Sequence, residues 1–120
     1  MARILVAEDD IDIARLIQFQ LQFHGYEVIT ASDGAEALQL ARKEAPSLML
    51  IDWMMPVMDG LQAVSALKAD PELRHIPVIL MTAKAQSQDV QAGLKAGAAA
   101  YLVKPFPLDQ LVKTIQEVLA

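Results

Sequence analysis

Five short apolar runs alternate with five stretches of helical period along the 120 residues of this chain. Strand–helix alternation without a break leaves few architectures open. It predicts an α/β domain, a parallel sheet covered by helices on both faces through right-handed crossovers. The runs are 3–7, 27–31, 48–51, 78–81 and 99–103. The third, Leu48-Met49-Leu50-Ile51, is continuously apolar, as a strand buried on both faces must be. A helix over 11–23 places Ile13, Leu16, Ile17 and Leu21 on one face, and Gly25 supplies a left-handed cap after it. An Ala/Leu-rich helix over 34–44 stops at Pro46, and another runs over 61–69 after the punctuation of Pro56 and Gly60. Ser87 is the expected cap of a fourth helix to residue 95, whose thin apolar face (Val90, Leu94) makes it one of the less stable elements. The last helix carries Leu108, Leu111, Val112, Ile115 and Leu119 at i, i+3, i+4, i+7 and i+11. Periodicity does not supply the strand order.

What closes these runs bears on function. In a parallel α/β sheet the carboxyl ends of the strands open on one edge, where ligands bind. Glu8-Asp9-Asp10 closes the first run, Asp52 the third and Thr82 the fourth, and Tyr101 and Lys104 lie at the fifth. Carboxylates, a hydroxyl and an ammonium converging there would hold a divalent cation and a phosphoryl group. Mg²⁺ takes about six oxygens, usually one or two carboxylates plus waters and phosphate. An acidic cluster also suits a helix start, and Asp10 or Asp12 fits that role. Asp52 is different, because a charge directly after a buried strand is costly unless paired or metal-bound. A carboxylate is also a competent nucleophile for an aspartyl-phosphate.

The chain resembles the receiver domain of two-component response regulators over essentially its whole length. The resemblance is carried by Ile4-Leu5-Val6-Ala7-Glu8-Asp9-Asp10, by 51–60 (Ile51-Asp52-Trp53-Met54-Met55-Pro56-Val57-Met58-Asp59-Gly60), by 77–83 and by Tyr101-Leu102-Val103-Lys104-Pro105-Phe106. It implies a flavodoxin-like (βα)5 sheet of order 2-1-3-4-5. Asp52 would accept a phosphoryl group from the phosphohistidine of a histidine kinase or histidine phosphotransfer protein. Glu8, Asp9, Asp52 and the main-chain carbonyl of Met54 would bind Mg²⁺. Thr82 and Lys104 would contact the phosphoryl oxygens, and the Lys104–Pro105 bond is expected to be cis. Thr82 and Tyr101 would form the switch that remodels the face of the fourth helix, fifth strand and fifth helix for an output partner. Such a protein phosphorylates and dephosphorylates itself at Asp52 but is not a turnover enzyme. Met54 and Lys84, each two residues past a site residue, flank the approach of water. Met cannot orient a water and Lys84 would occupy that approach, so a long-lived phosphate is expected.

Composition removes other classes. A net charge of −5 with scattered basic residues argues against direct nucleic-acid binding. No apolar run nears the roughly 18 residues of a membrane span, and no leader pattern is visible, so a cytoplasmic setting is the expectation. The absence of Cys excludes disulfides and thiolate metal sites. An aspartyl phosphatase commonly places a second Asp two residues after its nucleophile, where this chain has Met54. A flavin phosphate would be repelled by the acidic turn after the first strand. A pseudo-receiver working without phosphorylation is opposed by the complete acidic set. Regulators with winged-helix output commonly read Gly-Ala-Asp-Asp-Tyr where this chain reads Gly97-Ala98-Ala99-Ala100-Tyr101. Without that acidic pair the expectation is a monomer or weak dimer, either a stand-alone receiver or a piece of a longer DNA-binding regulator.

Overall fold

The structure, a computed structural model, describes residues 2–83 and 86–120. Strands β1 (Arg3–Ala7), β2 (Glu27–Ala31), β3 (Leu48–Asp52), β4 (Val78–Thr82) and β5 (Ala100–Val103) alternate with helices α1 (Ile11–Phe23), α2 (Gly34–Glu44), α3 (Gly60–Ala69), α4 (Ser87–Ala96) and α5 (Leu108–Leu119). The five strands form one parallel sheet of order β2-β1-β3-β4-β5, a flavodoxin-like doubly wound fold. The central strands β3 and β4 are buried at every position.

Side chains of a strand alternate between faces, so each strand feeds two cores. Leu5, Met49, Ile51 and Leu80 pack with Ala37, Leu38, Val64 and Leu67 under α2 and α3. Ile4, Val6, Leu48, Leu50, Ile79 and Met81 pack with Ile17, Leu21, Leu111, Val112 and Ile115 under α1 and α5. Both cores end at the carboxyl edge of the sheet, which leaves the last residue of each strand as the floor of a cleft.

Three expectations are corrected. Leu16 is 55% exposed rather than part of the α1 core face, which is formed by Ala14, Ile17 and Leu21. The buried line of α1 runs through Ala14, Ile17 and Leu21, and Leu16 lies on its solvent flank. Ser87 is the first residue of α4, not its cap. The cap position is Gln86, which makes no side-chain hydrogen bond to the helix. Strands β3 and β4 each run one residue further than their apolar stretch, because Asp52 and Thr82 remain in the ladder, whereas β5 begins at Ala100.

Candidate phosphoacceptor and metal site

Each functional side chain is placed by a strand end. Glu8 follows β1, and its N–H donates to the Ala31 carbonyl (3.0 Å), prolonging the ladder by one residue. Its side chain is thereby drawn inward and the residue is only 3% exposed, whereas Asp9 is exposed. Asp10 turns away to cap α1, accepting from the N–H groups of Asp12 (3.0 Å) and Ile13 (3.2 Å). The acidic cluster thus divides its labour, with one member serving the helix start. Asp52 ends β3 and is buried. The Trp53 N–H donates to Met81 (2.9 Å) and the Lys104 N–H to Thr82 (2.8 Å), which aligns the ends of β3, β4 and β5.

These ladders bring together residues nearly a hundred positions apart. Lys104 Nζ lies 2.6 Å from Glu8 Oε1 and 3.3 Å from Asp52 Oδ2. Carboxylate oxygens of Glu8, Asp9 and Asp52 all lie within 4.8 Å of one another. One ammonium faces three carboxylates, so two negative charges are left uncompensated in a partly buried cleft. Burial pushes the Glu8 carboxyl above its ordinary range, and a hydrogen bond and charge repulsion from Asp52 add to this, outweighing the pull of Lys104. Burial alone would lower the Lys104 ammonium, but the Glu8 hydrogen bond and the charges of Asp52 and Glu8 overcome it and raise its pKa. The two ends of the Lys104–Glu8 pair therefore shift in the same direction. Lys104 is held firmly charged, while Glu8 carries the unrelieved repulsion of a second carboxylate. A divalent cation relieves that repulsion with hard oxygen ligands, so the donor set fits Mg²⁺.

Thr82 is fully buried at the end of β4. Tyr101, the second residue of β5, is half-buried, and its ring meets Trp53 edge-on at 6.2 Å and 78°. Partial burial, followed by the nearby charge of Asp89, raises the Tyr101 hydroxyl pKa. The Lys104–Pro105 bond is cis. The Met54 side chain is 62% exposed on the loop after β3. Lys84 lies outside the described residues.

That loop is held more tightly than sequence reasoning foresees. The Gly60 N–H closes it onto the Trp53 carbonyl (2.8 Å). Asp59 and Gln62 form a reciprocal capping box at the start of α3. A Cβ on Gly60 would sit 2.5 Å from the Asp52 carbonyl oxygen, and one on Gly34 would sit 2.4 Å from that of Met58. Both glycines follow an Asp cap and open a helix they are poorly suited to form. An Asp-Gly pair at a helix start marks the two positions in the sequence, but not the remote main chain that each glycine meets.

A response regulator receiver domain model matches residues 4–116. The transcriptional regulatory protein PrrA of Mycobacterium tuberculosis is 43% identical over 117 residues, 98% of this chain but 49% of its own length. Protein PilH of Pseudomonas aeruginosa is 41% identical over 120 residues, 100% of this chain and 99% of PilH. The chain thus spans about half the length of the PrrA relatives and nearly all of PilH. The crystal structure of the chemotaxis response regulator CheY4 of Vibrio cholerae superposes with a TM-score of 0.93 at 38% identity, covering 98% of each chain. No helix among the described residues is long and apolar enough to cross a membrane.

Proposed function

Since the chain belongs to the response regulator receiver family, we propose that Asp52 accepts a phosphoryl group from a phosphohistidine donor with Mg²⁺ bound at Glu8, Asp9 and Asp52. The observation that carries this reading is the buried Asp52 carboxylate beside both the three-carboxylate cluster and the Lys104 ammonium. Asp52 attacks phosphorus as an ionised carboxylate, so no general base is needed. The nucleophile–phosphorus bond forms as the bond to the donor imidazole breaks. Lys104 neutralises charge on the equatorial oxygens, and a Mg²⁺ held by Glu8, Asp9 and Asp52 would supply further charge neutralisation there. Thr82, at the end of the adjacent strand, donates its hydroxyl to the product. The product carries about two negative charges where Asp52 had one.

The added charge draws Thr82 and frees space that the Tyr101 ring takes up, which alters the face built by α4, β5 and α5 for an output partner. The donor is a histidine kinase or histidine phosphotransfer protein. An exposed stripe on α1, Leu16, Phe19 and Phe23 at helical spacing, together with the apolar cleft lined by Leu16, Pro105 and Phe106, supports docking of a helix close to Lys104. The output is a separate protein or, as in relatives of twice the length, a domain on the same chain. The Ala99-Ala100 pair before Tyr101 supports the separate partner, since it lacks the charges for an ion-paired dimer face. The protein acts as a phosphorylation-controlled binding module rather than a turnover enzyme.

The test is intact mass after treatment with Mg²⁺ and acetyl phosphate. One phosphate is expected on the wild type and none on Asp52→Asn. Equal incorporation in the two proteins would sink the assignment.

A further inference from the structure

Gly34 lies at the first turn of α2, on an element that contributes no ligand to the cleft. Its backbone is not left-handed: among the described residues the positive-φ glycines are Gly25 and Gly97. The glycine is therefore not required by its dihedral angles, and as a helix former it is inferior to alanine. What excludes a side chain is distance. A Cβ there would meet the Met58 carbonyl oxygen at 2.4 Å, the Met58 Cβ at 3.0 Å and the Met58 carbonyl carbon at 3.1 Å. Two of those atoms are main chain, so relief requires the loop after β3 to move.

We propose that Gly34 is a positioning residue for the cation site, setting the place of the 53–59 loop and with it the Met54 carbonyl. This rests on reading Glu8, Asp9 and Asp52 as that site. The loop has little slack in which to absorb a push at Met58. On its C-terminal side, the Asp59–Gln62 capping box and the Gly60 N–H bond to Trp53 fix the start of α3. Gly60 has no room beside it, because a Cβ there would meet the Asp52 carbonyl oxygen at 2.5 Å and the Trp53 Cα at 2.7 Å. On the other side, the Met58 N–H bonds back to Pro56 (2.7 Å) around Val57, whose φ is already +69°. The buried Met55 side chain anchors the segment from below. A push at Met58 therefore moves the tied 56–58 turn as a unit about the buried Met55, and the neighbouring Met54 main chain shifts with it. The absent side chain of one helix thereby positions main chain beside the phosphoacceptor.

Mg²⁺ titration followed by Trp53 fluorescence, with thermal shift at saturating Mg²⁺ as second readout, tests this. Gly34→Ala is expected to weaken Mg²⁺ binding roughly tenfold or more, the usual scale for disturbing groups that orient metal ligands. Ala41→Gly, a buried change two turns further along the same helix, is expected to stay within twofold of wild type while lowering stability. Unchanged Mg²⁺ affinity in Gly34→Ala, or an equal loss in Ala41→Gly, overturns the proposal. If Gly34→Ala alone does not fold, the same comparison is made in trimethylamine N-oxide, which favours the compact state without adding slack to the loop, with the same two outcomes. A wild type that shows no Mg²⁺ response at all would overturn the cation-site reading itself, a result distinct from the other two.

Discussion

At the end of β3, main chain and side chains are fixed from several directions, while helix α4, which begins five residues past the end of β4, is held by very little. Around Asp52, Lys104 bonds two carboxylates, Trp53 joins the β4 ladder, Gly60 closes the loop, and Gly34 bears on it from α2. Helix α4 has no side-chain cap, and Gly93 is its one buried residue, against Leu80 and the Tyr101 ring. Leu94 is 46% exposed and Val90 half-buried. The two regions meet through Tyr101, whose ring touches Trp53 on one side and α4 on the other. Phosphoryl transfer needs atoms held in place, since positioning supplies most of its rate. A readout element needs competing arrangements close in energy, which a thinly packed helix supplies. The contrast in packing thus follows the division between chemistry and response.

The contrast is tested most directly by truncating one buried leucine and one leucine of α4. Leu111→Ala, fully buried on α5, should cost about 2–5 kcal/mol in urea unfolding, as large-to-small core changes do. Leu94→Ala on α4 should stay within about 0.5 kcal/mol, like other surface changes. Amide exchange should run in the same order, with α4 exchanging faster than β3 and α5. A Leu94→Ala loss matching that of Leu111→Ala would mean α4 is as firmly packed as the rest.

Much of this was legible in the sequence, and the failures share a cause. Alternation gave the class of fold and the strand ends that carry Glu8, Asp52, Thr82 and Lys104, because burial on both faces demands unbroken apolar runs. Strand order came only with the family resemblance, since no local pattern reports which strands pair. The ends of β3 and β4 lay one residue beyond the apolar run because hydrogen bonding, not polarity, terminates a strand. Leu16 was misplaced because spacing alone does not say which flank of an amphipathic stripe meets the sheet. The glycine contacts were hidden because their partners are remote: Gly34 meets Met58, and nothing near residue 34 announces it.

The lifetime of the phosphate sharpens the comparison, since the two positions expected to set it follow Asp52 and Thr82 by two residues each. Met54 stands on the clamped loop, and Lys84 is placed here by its position in the sequence. Met54→Asn with Lys84→Glu supplies groups that orient a water and should speed dephosphorylation by roughly tenfold, about 1.4 kcal/mol of barrier. Phosphate release over time from the purified phosphoprotein measures it. An unchanged decay rate would remove both residues from the account of lifetime.

The smallest effect expected is at Val57. This residue is 83% exposed and holds φ at +69°, a conformation that a β-branched side chain adopts only under strain. Such a residue costs on the order of 1–3 kcal/mol, and glycine returns roughly 0.5–1 kcal/mol of that through the freedom it gains on unfolding. Val57→Gly should therefore stabilise the fold by on the order of 1 kcal/mol, read as a raised urea midpoint with an unchanged slope. If the loop is clamped at Gly34 and Gly60 as the packing indicates, relaxing Val57 leaves Mg²⁺ affinity within twofold. Greater stability with a large loss of Mg²⁺ binding would show that the strained turn, rather than the two glycine contacts, holds the edge in register.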